Sequence, residues 1–214
     1  MLARNINAVD KLLIQADAAL RTIFGNPPLS GRPYPAEDFS EAELNEREKR
    51  HTAGLMRVNH AGEVSAQGLY QGQALTARLP RVREKMEQAA IEENDHLVWC
   101  EQRLKDLNAH KSLLNPVWYT GSFLIGATAG MLGDKWSLGF VAETEHQVVR
   151  HLDEHLNSLP ESDNRSRAIL EQMKLDEAKH ATTALHHGGA ALPGAVKGLM
   201  GLMSKVMTRT AYNL

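Results

Sequence analysis

Apolar residues recur every three or four positions along most of the chain, which is the spacing of helices that bury one face. Four stretches with this spacing are long enough to form a bundle, and Pro80 and Pro160 end the first and the third. Ser40, followed three positions later by Glu43, predicts a capping box at the start of the first of these helices. The predicted bundle helices cover residues 40–79, 81–109, 135–160 and 164–189. The pattern therefore predicts an all-α fold.

Six ionisable residues fall inside these apolar stripes. Each half of the bundle has a lone Glu and, about thirty positions later, a Glu-x-x-His pair: Glu63, Glu93 and His96, then Glu145, Glu177 and His180. Burying unpaired charges costs several kcal/mol, whereas a shared pair of metal cations would balance all six side chains. Four carboxylates and two imidazoles on four helices are the ligand set of a di-iron carboxylate site in a ferritin-like bundle. The alternative is a set of ordinary salt bridges within and between helices.

Two further Glu-x-x-His pairs, which begin at Glu48 and Glu143, do not fit the stripes. Glu143 lies two residues before Glu145, about 200° away around the helix. Glu48 lies about 22 Å before Glu63 along a helix axis, too far to share its site. We therefore interpret both pairs as solvated surface.

Composition narrows the function classes. A chain of 214 residues with 43% apolar and only 5% aromatic residues suits one helical domain with appendages rather than a sheet. The net charge of −2 offers no electrostatic basis for binding nucleic acid. The single cysteine, Cys100, excludes an internal disulfide, fits a reducing compartment and falls at a predicted core position.

Three apolar segments flank or interrupt the predicted bundle domain of residues 41–189. Residues 1–40 contain an amphipathic helix over Ile6–Phe24, unlike a secretory signal or a transit peptide, and then a Pro-rich linker. The uncharged stretch Ser112–Gly133 is too rich in glycine for a good spanning helix and takes the place of a long crossover. Residues 190–214 carry an amphipathic C-terminal helix of the kind that lies on anionic lipid. Packing against the bundle is the alternative for the crossover and the C-terminal helix.

Several motifs together resemble the demethoxyubiquinone hydroxylase family of coenzyme Q biosynthesis over residues 45–214. They are the run Arg57–Glu63, the pair Glu93–His96, Glu145 with His151, and the run Asp176–His180. The resemblance implies a di-iron monooxygenase, a 3-demethoxyubiquinol 3-hydroxylase, that uses O2 to hydroxylate the ring of a polyprenylated demethoxyubiquinol in ubiquinone biosynthesis. Animal members carry a Tyr where Leu152 stands here, so any role of that Tyr does not transfer. Because the N-terminal segment does not look like a transit peptide, we expect a bacterial member.

Residue by residue, the resemblance implies that two Fe ions are held by Glu63, Glu93, His96, Glu145, Glu177 and His180, with Glu93 and Glu177 bridging. His151 would make a hydrogen bond near the site and orient a ligand. Tyr70, two turns from Glu63 on the same helix face, would either line the substrate pocket or lie in the core with a satisfied hydroxyl. Manganese could replace one iron, because the ligand set accepts either metal.

The resemblance also implies partners. Reducing equivalents from NADH would reach the site through the quinone, and the chain shows no flavin motif and no Gly-x-Gly-x-x-Gly fingerprint. The enzyme would associate peripherally with the cytoplasmic face of the bacterial inner membrane, and it could work with an accessory lipid-presenting protein or other coenzyme Q biosynthesis proteins. The alternatives are a ferritin-like iron-handling or peroxidase protein without an organic substrate, and a non-catalytic lipid-binding scaffold.

Overall fold

Seven α-helices and no β-strand occur in the part of the chain that the computed structural model describes, residues 8–25 and 27–214. In chain order they are α1 (Ala8–Phe24), α2 (Glu46–Thr76), α3 (Pro80–Asp106), α4 (Asn115–Met131), α5 (Asp134–Ser158), α6 (Asn164–His186) and α7 (Gly194–Asn213). The bundle consists of α2, α3, α5 and α6, and α4 connects its two helix pairs. The predicted all-α, ferritin-like bundle with a long crossover and an added C-terminal helix is confirmed.

Two apolar clusters fill the bundle at different heights. The first takes side chains from all four bundle helices, among them Met56, Cys100, Leu152 and Met173. The second, toward the other end, includes Tyr70, Met86, Val141 and Ala184. Along every bundle helix, the predicted metal-site residues fall between the positions that form the two clusters. The predicted burial of the lone cysteine is confirmed.

The first bundle helix starts later than predicted. Neither Ser40 nor Glu43 belongs to it, and Asn45 is the residue that caps α2. Asn45 Oδ1 accepts hydrogen bonds from the backbone N–H groups of Arg47 and Glu48, both at 3.0 Å, and Glu48 Oε2 accepts one from the Asn45 N–H at 2.9 Å. The predicted start at Ser40 was therefore wrong, although α2 does begin with a capping box.

Other helix ends differ from the prediction by a few residues. The first bundle helix ends at Thr76 rather than Leu79, and Pro80 opens α3 instead of separating the two helices. Proline suits a first helical turn because the N–H that it lacks would have no partner there. The ends of α3 at Asp106 and of α5 at Ser158 also come slightly before the predicted ends.

The crossover helix α4 lies directly against the backbone of α2. A Cβ atom at Gly72 of α2 would come within 2.2 Å of the Phe123 carbonyl oxygen, and one at Gly126 of α4 would come within 2.2 Å of the Leu69 oxygen. A Cβ at Gly68 of α2 would likewise come within 2.4 Å of the Tyr119 carbonyl oxygen, and one at Gly130 of α4 would come within 2.0 Å of the Thr76 hydroxyl oxygen. Glycine is required here because any larger residue would force the two backbones apart. Among the helices of the described residues, none combines the length and the apolar character needed to cross a membrane.

The C-terminal helix α7 packs on the bundle through its last residues, and its earlier turns expose apolar side chains. The Tyr212 hydroxyl hydrogen-bonds His51 Nδ1 at 2.7 Å, and Arg57 donates to the Tyr212 carbonyl oxygen at 2.7 Å. Leu199 and Leu202 are exposed. The predicted role of α7 on lipid stays a prediction.

The N-terminal helix α1 was predicted to start at Ile6, which lies outside the described residues. Of its predicted apolar side, Leu13 and Leu20 are exposed, whereas Ile23 packs on a small cluster around Val64. The division of the chain at residues 40 and 189 stays a prediction.

Candidate metal centre

All six predicted metal-site side chains are buried in the middle of the bundle, and the most accessible of them, His180, is only 8% exposed. They come from all four bundle helices: Glu63 from α2, Glu93 and His96 from α3, Glu145 from α5, and Glu177 and His180 from α6. Ligand atoms of four of them lie within 4.8 Å of one another, close enough to share a cation: Glu63, Glu93, His96 and Glu177.

Glu93 and Glu177 lie between the two histidines. His96 Nδ1 is 3.0 Å from Glu93 Oε2 and 3.0 Å from Glu177 Oε1. His180 Nδ1 is 3.1 Å from Glu93 Oε1 and 3.2 Å from Glu177 Oε2. Each of these carboxylates therefore presents one oxygen to each histidine. Glu63 lies on the His96 side, with its Oε2 3.9 Å from His96 Nδ1. This arrangement can bridge two cations.

Glu145 approaches the same cluster from α5. The Tyr70 hydroxyl donates a hydrogen bond to Glu145 Oε1, and both residues are buried. Tyr70 therefore has the second of its two predicted roles, a core residue with a satisfied hydroxyl. That contact also fixes one oxygen of a predicted ligand.

Burial and neighbouring charges shift the pKa values of the site's side chains in opposite directions. Burial and the charges of Glu93 and Glu177 raise the pKa of Glu63 well above its ordinary value, and the same causes raise the pKa of Glu145. Burial alone would also raise the pKa of Glu93, but the adjacent imidazoles of His180 and His96 hold it well below its ordinary value. Burial would lower the pKa of His180, yet its hydrogen bond with Glu177 and the adjacent Glu93 carboxylate raise that pKa to about 12. Without a cation, bound protons must balance the buried charge.

The donor set fits divalent iron or manganese. Within the described part of the chain, Glu93 Oε1 is buried and lacks a hydrogen bond of good geometry, although His180 Nδ1 is 3.1 Å away. Carboxylate and imidazole ligands suit these metals, and two divalent cations would neutralise four buried carboxylates. Metal binding would then release the protons that otherwise balance them.

Two further carboxylates, which the sequence reasoning missed, hydrogen-bond the outer nitrogens of the histidines. Asp176 Oδ2 lies 3.0 Å from His96 Nε2, and Glu92 Oε2 lies 2.7 Å from His180 Nε2. Each acid directly precedes the Glu of one Glu-x-x-His pair and reaches the histidine of the other pair. The sequence did contain a signal for these two residues, namely an acidic residue directly before the Glu of both motifs. Such outer hydrogen bonds fix the orientation of a metal-binding imidazole.

An apolar cavity of about 330 Å³ leads to the carboxylates between α4 and α7. Its wall includes four of the predicted ligands, Glu63, Glu93, Glu145 and Glu177. The rest is largely apolar and includes Val117, Trp118 and Ile125 of α4 and Met200, Met203 and Met207 of α7. An apolar molecule in this cavity would therefore lie against these four residues. A larger polar depression of about 1100 Å³ lies at the start of α2 and does not reach the carboxylates.

His151 lines the cavity on α5. Its Nε2 is buried and has no hydrogen-bond partner among the residues that the structure describes, and its ring centre lies 3.8 Å from that of His155. The hydrogen bond predicted for His151 is not seen at this nitrogen. His151 therefore has a buried ring nitrogen that no described residue satisfies, in a residue of the cavity wall.

The two remaining Glu-x-x-His pairs do not contribute to the cluster. Glu143 was predicted to be solvated, and this was wrong because it is buried and pairs with Lys197 of α7 at 2.8 Å. His146 is exposed, as predicted, and Glu48 is the acidic residue of the capping box at the start of α2. Burial alone therefore does not mark a carboxylate as part of the centre, since a basic partner can balance it.

A family model described as ubiquinone biosynthesis protein COQ7 matches residues 50–211 of the chain. The chain belongs to the COQ7 family. Proteins named 3-demethoxyubiquinol 3-hydroxylase from Nitrosococcus oceani and Azotobacter vinelandii are each 61% identical to it, over 99% of the chain and 99% and 98% of their own lengths. A third protein of that name, from Nitrosomonas europaea, is 59% identical over 95% of the chain and 98% of its length. These relatives are bacterial, and the resemblance based on the motifs is confirmed.

The COQ7 match contains all six predicted ligands and both outer carboxylates. It leaves out the first 49 residues, although the relatives align with nearly the whole chain. The matched region thus contains nearly all of the bundle, α4 and most of α7.

Proposed function

We propose that this chain is a di-iron monooxygenase, a 3-demethoxyubiquinol 3-hydroxylase that inserts one oxygen atom from O2 into the ring of a polyprenylated demethoxyubiquinol in ubiquinone biosynthesis. The observation that carries the proposal is the pair of Glu-x-x-His motifs placed directly beneath an apolar cavity. The names of the bacterial relatives support the choice of this reaction.

The proposed ligands form two positions that share two carboxylates. Glu63 and His96 would hold one metal, Glu145 and His180 the other, and Glu93 and Glu177 would bridge them. Two Fe(II) ions bound in this way would supply the reduction of O2, which carboxylate and imidazole ligands with open positions allow. Manganese in one of the positions is compatible with the same ligands.

The chain itself supplies orientation and a dry site. The hydroxyl of Tyr70 holds Glu145 in place, and the outer carboxylates Asp176 and Glu92 hold the two histidines. The apolar cavity wall excludes water and presents a ring carbon to the metal-facing carboxylates. His151 lies in the cavity wall with an unsatisfied ring nitrogen and would hydrogen-bond a ring oxygen of the substrate.

The proposed reaction needs an external source of electrons. Replacing one ring C–H bond by C–OH with one atom of O2, and releasing the other atom as water, consumes two electrons and two protons. We propose that these reach the site as reducing equivalents from NADH through the quinone.

The substrate's prenyl tail implies a place at a membrane. Apolar side chains are exposed on both helices that flank the cavity, among them Val117 and Leu124 on α4 and Leu199 and Leu202 on α7. We propose that these faces bind the surface of the bacterial inner membrane peripherally, on its cytoplasmic side. A lipid-presenting partner or other coenzyme Q biosynthesis proteins would share that location.

The direct test is product formation. The protein, purified with iron, is mixed with reduced demethoxyubiquinone and O2, and the ring-hydroxylated product is measured by mass spectrometry. We expect Glu177→Ala to lose iron and product together, because it removes a shared ligand. The control Glu171→Ala changes an exposed Glu on the same helix and should keep both.

Two outcomes would count against the proposal. Normal iron content and turnover in Glu177→Ala would refute the ligand assignment. Bound iron without product in the unaltered protein would instead favour a ferritin-like iron-handling or peroxidase protein.

A further inference from the structure

Residues 27–34, which we call the N-terminal strap, lie across α3 beside the proposed metal centre. Ser30 donates from its backbone N–H to Asp95 Oδ1 at 3.0 Å and from its hydroxyl to Asp95 Oδ2. Asn94 donates from its side-chain amide to the Pro28 carbonyl oxygen at 2.9 Å. Both Asn94 and Asp95 lie between the Glu and the His of the first Glu-x-x-His pair. The strap, which precedes the region matched by the family model, is therefore tied to the middle of that motif.

Arg32 of the strap connects the two metal-site motifs. Its Nε donates to Asp95 Oδ2 at 2.7 Å, and its Nη1 donates to Asp176 Oδ2 at 2.6 Å. The guanidinium carbon lies 4.9 Å from the centre of the Trp99 ring, a cation–π contact that further restricts it. The planar fork of arginine suits such simultaneous pairing with two carboxylates. Arg32 therefore bridges helices α3 and α6 on the outside of the centre.

The oxygen of Asp176 that accepts from Arg32 also faces a proposed ligand. Asp176 Oδ2 lies 3.0 Å from His96 Nε2, and Gln172 donates to the other carboxylate oxygen at 3.2 Å. Since His96 Nδ1 faces Glu93 and Glu177, the bond at Nε2 sets the rotation of the imidazole ring. Arg32 thus acts on His96 through Asp176.

The second histidine has different support. His180 Nε2 lies 2.7 Å from Glu92 Oε2, and Gln88 donates to Glu92 Oε1 at 3.2 Å. No arginine or lysine pairs with the Glu92 carboxylate among the side chains that the structure describes. Arg32 reaches only the backbone oxygen of Glu92, at 3.3 Å. The two halves of the centre are therefore alike in their inner residues and unlike in their outer ones.

We propose that Arg32 is a positioning residue that holds Asp176 against His96 and thereby sets the geometry of one metal position and not of the other. The proposal rests on the proposed function, since it requires metals at this centre. It assigns to the N-terminal strap a role in the metal site, and it predicts that the two metal positions differ.

The test uses the full chain loaded anaerobically with Fe(II) alone. Affinity is measured by competition with a chelator, and Mössbauer spectra of the ferrous protein report each position separately. We expect Arg32→Gln to bind one Fe(II) about tenfold more weakly and to change one of two spectral components. Arg32→Lys keeps the charge but loses the planar guanidinium. It should recover part of the Fe(II) affinity and part of the original spectrum.

Two controls separate positioning from folding. Arg50→Gln removes an exposed arginine, 3.9 Å from Glu46, and should leave both Fe(II) components unchanged. Glu92→Gln should change the other component, because it supports His180. A purely structural role for Arg32 would lower the melting temperature of the metal-free chain without singling out one component.

The outcomes distinguish the two proposals. If the unaltered chain bound no Fe(II), the proposed centre and this inference would both fail. If it bound Fe(II) but Arg32→Gln matched it in affinity and in both components, only the role of Arg32 would be overturned. Equal changes in both components would overturn it as well. Should Arg32→Gln not fold, the same comparison with Arg32→Lys decides: a change confined to one component supports the inference, and unchanged spectra refute it.

Discussion

The hydrogen bond between Tyr70 and Glu145 joins α2 to α5 beside the proposed centre. Burial and the charge of Glu145 raise the pKa of Tyr70 well above its ordinary value, so the hydroxyl keeps its proton and donates. Tyr70→Phe would free the Glu145 carboxylate to rotate. We therefore expect Fe(II) to bind about tenfold more weakly, measured by anaerobic chelator competition.

Tyr119→Phe is the matched control for this prediction. It removes a tyrosine hydroxyl that donates to Gln71 Oε1 at 2.5 Å, away from the carboxylates. Its Fe(II) affinity should equal that of the unaltered chain. Equal weakening in both variants would mean that the loss reflects general packing and not the support of Glu145.

His155 makes stability depend on pH. Its Nδ1 hydrogen-bonds Asn59 Oδ1 at 3.0 Å, and burial, aided by the nearby His151 and His51, lowers its pKa to about 3. The unfolded chain, with an ordinary histidine pKa near 6.5, binds more protons than the folded chain between those two values. This contribution to the free energy of unfolding therefore falls as the pH drops below about 6.5, by about 1.4 kcal/mol per pH unit.

A comparison of variants isolates this effect from the other titrating groups. Urea unfolding between pH 7 and pH 5 should show a shallower loss of stability in His155→Gln, whose amide can still hydrogen-bond Asn59. His186→Gln changes an exposed histidine and should leave the pH dependence unchanged. Parallel curves for His155→Gln and the unaltered chain would contradict the assignment.

At the scale of helices, the contact between α2 and α4 depends on glycine. A Cβ at Gly72 would lie 2.2 Å from the Phe123 carbonyl oxygen, and backbone on both sides cannot give way cheaply. We expect Gly72→Ala to lower the free energy of unfolding by about 3 kcal/mol, measured in urea. Gly62→Ala lies in the same helix with open space around the added methyl, so it should be neutral or stabilising by up to about 1 kcal/mol. Similar losses in both variants would show that helix propensity, rather than close packing, dominates.

The start of α2 shows where sequence patterns stop being decisive. Ser40 with Glu43 and Asn45 with Glu48 offer the same capping pattern, and local rules cannot choose between them. Tertiary contact decides, because Glu41 accepts a hydrogen bond from Arg103 of α3 at 2.6 Å. That contact holds the chain before Asn45 outside the helix.

The metal centre likewise has residues that the sequence pattern predicts and residues that it cannot predict. The spacing of carboxylates and histidines within apolar stripes predicted the six inner residues, because burial of a charge inside one helix leaves a periodic trace. The outer residues leave no such trace. Arg32 and Asp95 look like ordinary surface charges in the sequence, and only the path of the strap brings them together. Glu143 was predicted to lie at the surface and is buried instead. Its burial depends on Lys197 from a distant helix, which the local pattern does not show.

For the whole molecule, the position of the cavity connects the centre to the exposed apolar faces. The cavity lies between α4 and α7, and the exposed Leu199 and Leu202 lie on the helix that lines it. Exposed basic residues on α7, Lys205 and Arg209, would favour anionic lipid. A substrate with a prenyl tail could then pass from the bilayer to the carboxylates without crossing water.

Vesicle binding tests this arrangement, but deleting residues 190–214 would be a poor way to do so. The deletion would also remove the contact of Tyr212 with Arg57 and disturb the bundle. Leu199→Glu and Leu202→Glu change only exposed side chains, and each should weaken binding to anionic vesicles about tenfold in a flotation assay, because burial of a leucine in lipid contributes roughly 1.5–3 kcal/mol. Leu175→Glu alters an equally exposed leucine on α6 that is not part of the cavity wall, and this variant should bind vesicles normally. If all three variants bound like the unaltered chain, the exposed leucines of α7 would not be the membrane contact.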